Sequence, residues 1–190
     1  MSTPAAIPVP RPHAKAATTQ EHAAGPDDPA YDLIELFFFA YRDFVSDPDR
    51  ILAEYAFGRA HHRVLHFVSR QPGLTIAELL DILQITKQSL NRVLKELIEK
   101  DFIVSRMGTT DRRQRLLFAT RAGQDLALRL ADLQTRRIRR ALETAPAEER
   151  DAMRSFVQNY LLAMVEPADR GRVARLAATP ARHPDATGEG

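Results

Sequence analysis

Residues 73–120 constrain the chain more than any other stretch, because they prescribe two short helices and a hairpin in immediate succession. Thr75 and Glu78 have the spacing of a capping box, in which hydroxyl and carboxylate each satisfy a free amide at a helix start. Ile76, Leu79, Leu80 and Leu83 then recur at helical spacing. A second helix is predicted over about 86–100, with Leu90, Val93, Leu94, Leu97 and Ile98 on one stripe and Gln88, Asn91, Arg92 and Lys95 on the opposite one. Residues 102–107 and 114–119 are rich in strand formers. The six residues between them are too many for a tight two-residue turn and read as a projecting loop.

Charge is concentrated on this stretch. From Lys87 to Arg115 there are eight basic and four acidic residues, although the whole chain carries only +2. Such a local excess suits phosphate neutralisation. A helix held by its apolar stripe, with amides and cations on the other, suits the reading of base edges in a major groove. The candidate contacts on the helix are Thr86, Lys87, Gln88, Ser89, Asn91, Arg92 and Lys95. Gln88 and Asn91 match adenine and Arg92 matches guanine, whereas Lys87 and Lys95 suit phosphates. On the hairpin the candidates are Arg106, Asp111, Arg112, Arg113 and Arg115. The alternatives are a merely solvated helix face and a hairpin kept soluble by charge.

The runs I-T-K-Q-S-L-N-R-V-L-K-E-L-I-E-K-D-F-I-V-S-R and D-R-R-Q-R-L-L-F-A-T-R-A-G resemble the winged helix-turn-helix of the MarR family of bacterial transcription regulators. The resemblance covers about 31–165. Its most specific parts are Asp111 with Arg113, and Leu117, Thr120 and Gly123. One departure is Asp101, where the family usually has glycine at the helix end; aspartate tolerates the left-handed conformation better than most residues. The resemblance implies that Arg113 enters a minor groove and that Asp111 orients it; a guanidinium suits a narrow, strongly negative groove. It further implies a dimerisation layer made of intertwined terminal helices, and an effector site for small aromatic acids or phenols beside the winged module. Tyr41, Phe44, Tyr55, Phe57 and His61 are the candidate lining of that site. Ordinary core packing is the equal alternative, because aromatic residues at helical spacing usually just pack.

The flanking segments fit this plan. Residues 31–44 form a predicted helix with two apolar stripes, Leu33, Leu36, Phe37, Ala40 and Phe44 against Ile34, Phe38 and Tyr41. A helix apolar on more than one side needs cover from several directions, and in a chain this size a second copy is the expected cover. Ser46 to Pro48 reads as the break that ends it. The next helix spans about 58–70, with His61, Val64, Leu65 and Val68 on its buried face. A long helix is predicted over 120–143 and a last one after Pro146, with Met153, Phe156, Val157, Tyr160, Leu161 and Met164 as its apolar stripe.

The expected architecture is mainly α with a small β-hairpin: a tail over 1–29, a first dimerisation helix and connector over 30–57, the DNA-binding unit over 58–120, dimerisation helices over 121–166 and a flexible tail over 167–190. Arg11 and Lys15 make the first tail a minor candidate for a phosphate-touching arm.

What is missing narrows the function. Without cysteine there is no thiol sensing, disulfide or zinc–thiolate site. His62 and His66 stand one helical turn apart, but no neighbouring acid completes a ligand set, so packing, capping or surface exposure is favoured over a metal, and His61, on the apolar face, reads as packed or pocket-lining. No nucleophile motif or glycine-rich phosphate loop is present, and Glu148-Glu149 favours a helix start rather than acid–base chemistry. The reading is therefore a non-enzymatic, cofactor-free, cytoplasmic homodimer that binds double-stranded DNA at a pseudo-palindrome, repression being the commoner mode in the family. The alternative is a winged helix used as a protein-interaction module, which would favour exposed apolar anchors over the polar stripe seen here.

Overall fold

The computed structural model describes residues 29–108 and 113–178. The tail expected over 1–29 therefore lies outside the described residues except for its last position, as do Asp111 and Arg112. The elements are α1 (Tyr31–Ala53), α2 (Arg59–Arg70), β1 (Leu74–Thr75), α3 (Ile76–Leu83), α4 (Lys87–Glu99), β2 (Ile103–Met107), β3 (Arg115–Ala119), α5 (Arg121–Leu142), a 3-10 turn (Ala147–Glu149), α6 (Arg150–Met164) and α7 (Pro167–Ala178). The three strands form one antiparallel sheet in the order β1-β3-β2. The chain divides into two units: one ends at Phe37, within α1, and the other begins at Phe38 and holds everything that follows.

In the second unit the core gathers around the helix-turn-helix. Leu52, Val64, Leu65, Val68, Leu79, Leu90, Leu97, Ile103, Leu117 and Leu130 are all fully buried. Each such side chain contributes about 1.5–3 kcal/mol, so Leu90 and Leu97 alone anchor the inner face of α4 firmly. Ile98, read from spacing as part of that face, is 41% exposed at its margin.

The capping signals form as expected. The Thr75 hydroxyl accepts the Glu78 amide at 3.2 Å, while a Glu78 carboxylate oxygen accepts from the Thr75 amide at 2.9 Å and from its hydroxyl at 2.7 Å. Those hydrogen bonds hold the Glu78 carboxyl below its ordinary value, with Arg172 adding to the effect. Gln84, left-handed at φ 49°, ends α3. Asp101, at φ 59°, turns the chain from α4 into β2, as its left-handed tolerance allows.

Three features differ from the sequence expectations. Helix α1 does not break at Ser46–Pro48 but runs through Pro48 to Ala53. Proline removes one helical hydrogen bond and crowds the preceding turn. Burial of Val45, Pro48 and Leu52 offsets this, and Arg137 of α5 holds Asp47 at 2.9 Å. Strand β1 was not anticipated; Leu74 and Thr75 pair with Leu117 and Leu116, extending the hairpin to three strands. The region from Pro167, read as a tail, is helical to Ala178.

The Leu117, Thr120, Gly123 spacing acquires a physical meaning. Leu117 is buried in the central strand. Thr120 caps α5 by accepting the Gly123 amide at 3.1 Å, and its hydroxyl donates to the Asp101 carbonyl at 2.6 Å. Its own amide donates to the Phe102 carbonyl at 3.1 Å. The start of α5 is thereby fastened to the corner between α4 and β2.

Candidate nucleic-acid interface

The polar stripe of α4 is presented outward by the burial of Leu90, Val93, Leu94 and Leu97 on its other side. Lys87, Gln88, Asn91, Arg92 and Lys95 are all exposed. At the helix start, Thr86 accepts the Ser89 amide at 3.2 Å and donates its own hydroxyl proton to Ser89 Oγ at 2.9 Å. These two candidates thus cap the helix, and the Ser89 hydroxyl proton is the donor the pair retains. Lys95 lies 3.7 Å from Glu99, one turn away in an exposed pair, an arrangement worth a few tenths of a kcal/mol and readily exchanged for a phosphate.

The hairpin sits directly after this helix. Arg106 pairs with Leu116 and Met107 with Arg115 across β2 and β3, and the Gly108 amide donates to the Gln114 carbonyl at 3.0 Å. Arg113 and Arg115, just before and at the start of β3, are exposed. The Arg106 guanidinium lies 5.1 Å from the centre of the Phe118 ring, an attraction that directs it along the sheet.

Behind α4 lies a group of residues that only the fold brings together. The His61 ring stacks on Phe57 at 4.6 Å, and Phe57 meets Phe102 edge-on at 5.2 Å. Tyr55 meets Phe102 at 5.3 Å, and its hydroxyl accepts from Arg129 at 3.3 Å. Lys100 donates to the Tyr55 carbonyl and stands over the Phe57 ring at 4.8 Å. Three of the five aromatic-site candidates, Tyr55, Phe57 and His61, are therefore neighbours. Tyr41, 57% exposed, and the half-buried Phe44 make no ring contact with them among the described residues.

His61 links the two helices. Its Nδ1 accepts the Gly58 amide at 3.1 Å, so the proton of the neutral ring sits on Nε2, which donates to the Glu96 carboxylate of α4 at 2.9 Å. Glu96 was not a candidate from sequence; its partner lies 35 residues away, and no local spacing signals the pair. His62 and His66, on the same helix, are half-buried. Burial pushes both below the ordinary imidazole range; Asp49 opposes this for His62, while His62 and Arg70 reinforce it for His66.

The profile of the MarR family matches residues 57–114. The HTH-type transcriptional regulator PetP of Rhodobacter capsulatus is 47% identical over 137 residues, which are 72% of this chain and 80% of that protein. Among solved structures, MarR superposes with a TM-score of 0.57 at 23% identity, over 80% of this chain and 98% of its own. FabT of Streptococcus pneumoniae, solved in complex with DNA, superposes with a TM-score of 0.59 at 16% identity, over 70% of this chain and 96% of its own.

Proposed function

The chain belongs to the MarR family of transcriptional regulators, and from that premise we propose that it binds a pseudo-palindromic operator as a homodimer and represses the adjacent promoter. It acts by binding and is not an enzyme. The observation that carries the reading is the outer face of α4: five exposed amides and cations on a helix anchored by four buried apolar residues, with Arg113 and Arg115 on the adjoining hairpin. Gln88, Asn91 and Arg92 read bases; Lys87, Lys95, Arg106, Arg112 and Arg115 meet phosphates; Arg113, oriented by Asp111, enters the minor groove. No helix among the described residues is long and apolar enough to cross a membrane; the proposed DNA binding is what would place its work in the cytoplasm. Effector binding by small aromatic acids belongs to the same proposal, with Tyr55, Phe57 and His61 as its lining.

Fluorescence anisotropy of the purified protein on random duplex DNA, against salt, tests the DNA-binding reading. A plot of log affinity against log salt with a slope of about −4 or steeper is expected. A flat plot, or no binding in dilute buffer, refutes it.

The homodimer is supported by apolar surface that a lone chain leaves in water. On α6, Phe156, Tyr160, Leu161 and Met164 are 69%, 39%, 46% and 59% exposed. On α1, Phe38, Phe39 and Tyr41 are 73%, 56% and 57% exposed. Contiguous apolar surface of this kind marks an interface. Two recognition helices about 34 Å apart, or a multiple, then read a repeat of matching spacing. Leu161→Arg, which buries an unpaired charge if α6 is covered, is expected to halve the mass seen by light scattering and to weaken duplex binding at least about tenfold. An unchanged mass places the interface elsewhere.

A further inference from the structure

Helix α7 has a sequence that promises little burial, yet one of its stripes is covered. Val165, just before it, and Asp169, Arg172 and Leu176 are half-buried, whereas Arg170, Val173 and Arg175 between them are exposed. The covered positions recur at spacings of four, three and four residues, which is one face of a helix.

The contacts made by that face are polar and long-range. Arg172 donates to Asp169 at 2.8 Å on its own helix and also to Asp81, on the exposed side of α3, 91 residues away. Arg70, the last residue of α2, donates to the Leu176 carbonyl at 2.7 Å near the end of α7, where helix carbonyls lack partners within the helix. At the other end Arg170 donates to the carbonyls of Val165 and Ala163, both at 3.0 Å, which sets the turn between α6 and α7. The C-terminal helices are thus tied to the first two helices of the DNA-binding unit. Only Gln84, Ile85 and Thr86 separate α3 from α4, so what fixes α3 also fixes the helix that carries the base-reading side chains.

We infer that Arg172 and Arg70 are positioning residues, which strap α7 across the corner of α2 and α3 and hold the helix-turn-helix to the C-terminal helices. Neither belongs to the proposed DNA-contacting face; Arg172 acts through Asp81 of α3, and Arg70 through its own helix α2. The effect on DNA binding rests on the proposed function, but the strap itself does not. Arg172 neutralises a cluster of three carboxylates, those of Asp169, Asp81 and Glu78. Without it, α3 and α7 repel each other.

The test is a charge exchange in the full-length protein. Arg172→Asp is expected to speed amide hydrogen exchange over residues 76–99 about fivefold and to weaken duplex affinity by a similar factor. Asp81→Arg combined with Arg172→Asp restores the pair at the wild-type net charge and is expected to return both readouts to within about twofold of wild type. Weaker DNA binding by Arg172→Asp with unchanged exchange is a charge effect on DNA alone and overturns the strap. Failure of the double variant to restore exchange overturns the Arg172–Asp81 assignment. If the wild-type protein does not bind duplex DNA, the proposed function falls, while the exchange measurements still decide the strap.

Discussion

Gly123→Ala is expected to lower the thermal midpoint by about 6–12 °C, a loss of about 3 kcal/mol or more. Judged by helix propensity alone the substitution should stabilise α5 by about 1 kcal/mol, so the two arguments differ in sign. Packing decides between them. A Cβ at position 123 would stand 2.0 Å from the Phe102 carbonyl oxygen and 3.1 Å from its carbon. Both are backbone atoms, and no side-chain rotation relieves the collision. That same carbonyl accepts the Thr120 amide, and the Asp101 carbonyl beside it accepts the Thr120 hydroxyl. Moving α5 outward therefore breaks two hydrogen bonds and loosens the capping threonine. Gly171→Ala is the control, since its Cβ meets only the end of the Arg175 side chain at 3.7 Å; it is expected to be neutral or stabilising by up to about 1 kcal/mol. Circular dichroism melts of the two variants separate the arguments, and a Gly123→Ala protein as stable as wild type shows that α5 does not approach the corner this closely.

Elements whose stability is local were legible before the fold was known. Helices α3 and α4 announce themselves through Thr75, Glu78 and Thr86 together with an apolar repeat, and the structure places the caps where the spacing does. Features set by distant partners were not. Pro48 signals a break, and only the burial of Val45 and Leu52 and the reach of Arg137 keep α1 intact past it. Strand β1 is two residues long and has no alternation to read; it exists because the Leu117 strand has an open edge beside it. Helix α7 is held by arginines bonding to a carboxylate and a carbonyl, contacts that leave no apolar stripe in the sequence. The proposed binding face divides the same way. The outward residues of α4 follow from the period of its apolar ones, whereas Glu96 looks like one more solvated acid until His61 arrives from another helix.

That pairing bears on the DNA contacts. Arg92 lies one turn before Glu96, near enough for an ion pair along the helix. Glu96 is instead engaged by His61 at 2.9 Å, and Arg92 makes no hydrogen bond or ion pair among the described residues. Its guanidinium is available to a guanine edge, for which two parallel donors fit O6 and N7. Arg92→Ala is expected to weaken binding about 10–100-fold on a duplex selected by the protein from genomic fragments, and far less on random duplex. Lys87→Ala should weaken both duplexes alike and lower the salt slope by about one. Equal losses on both duplexes for Arg92→Ala would make it a phosphate contact. His61→Ala separates availability from contact: it releases Glu96 toward Arg92 without altering either, and a smaller loss of the same kind, confined to the selected duplex, is expected. If His61→Ala leaves the ratio of the two affinities unchanged, Glu96 does not compete for Arg92, and the histidine serves only to cap α2 and pack against Phe57.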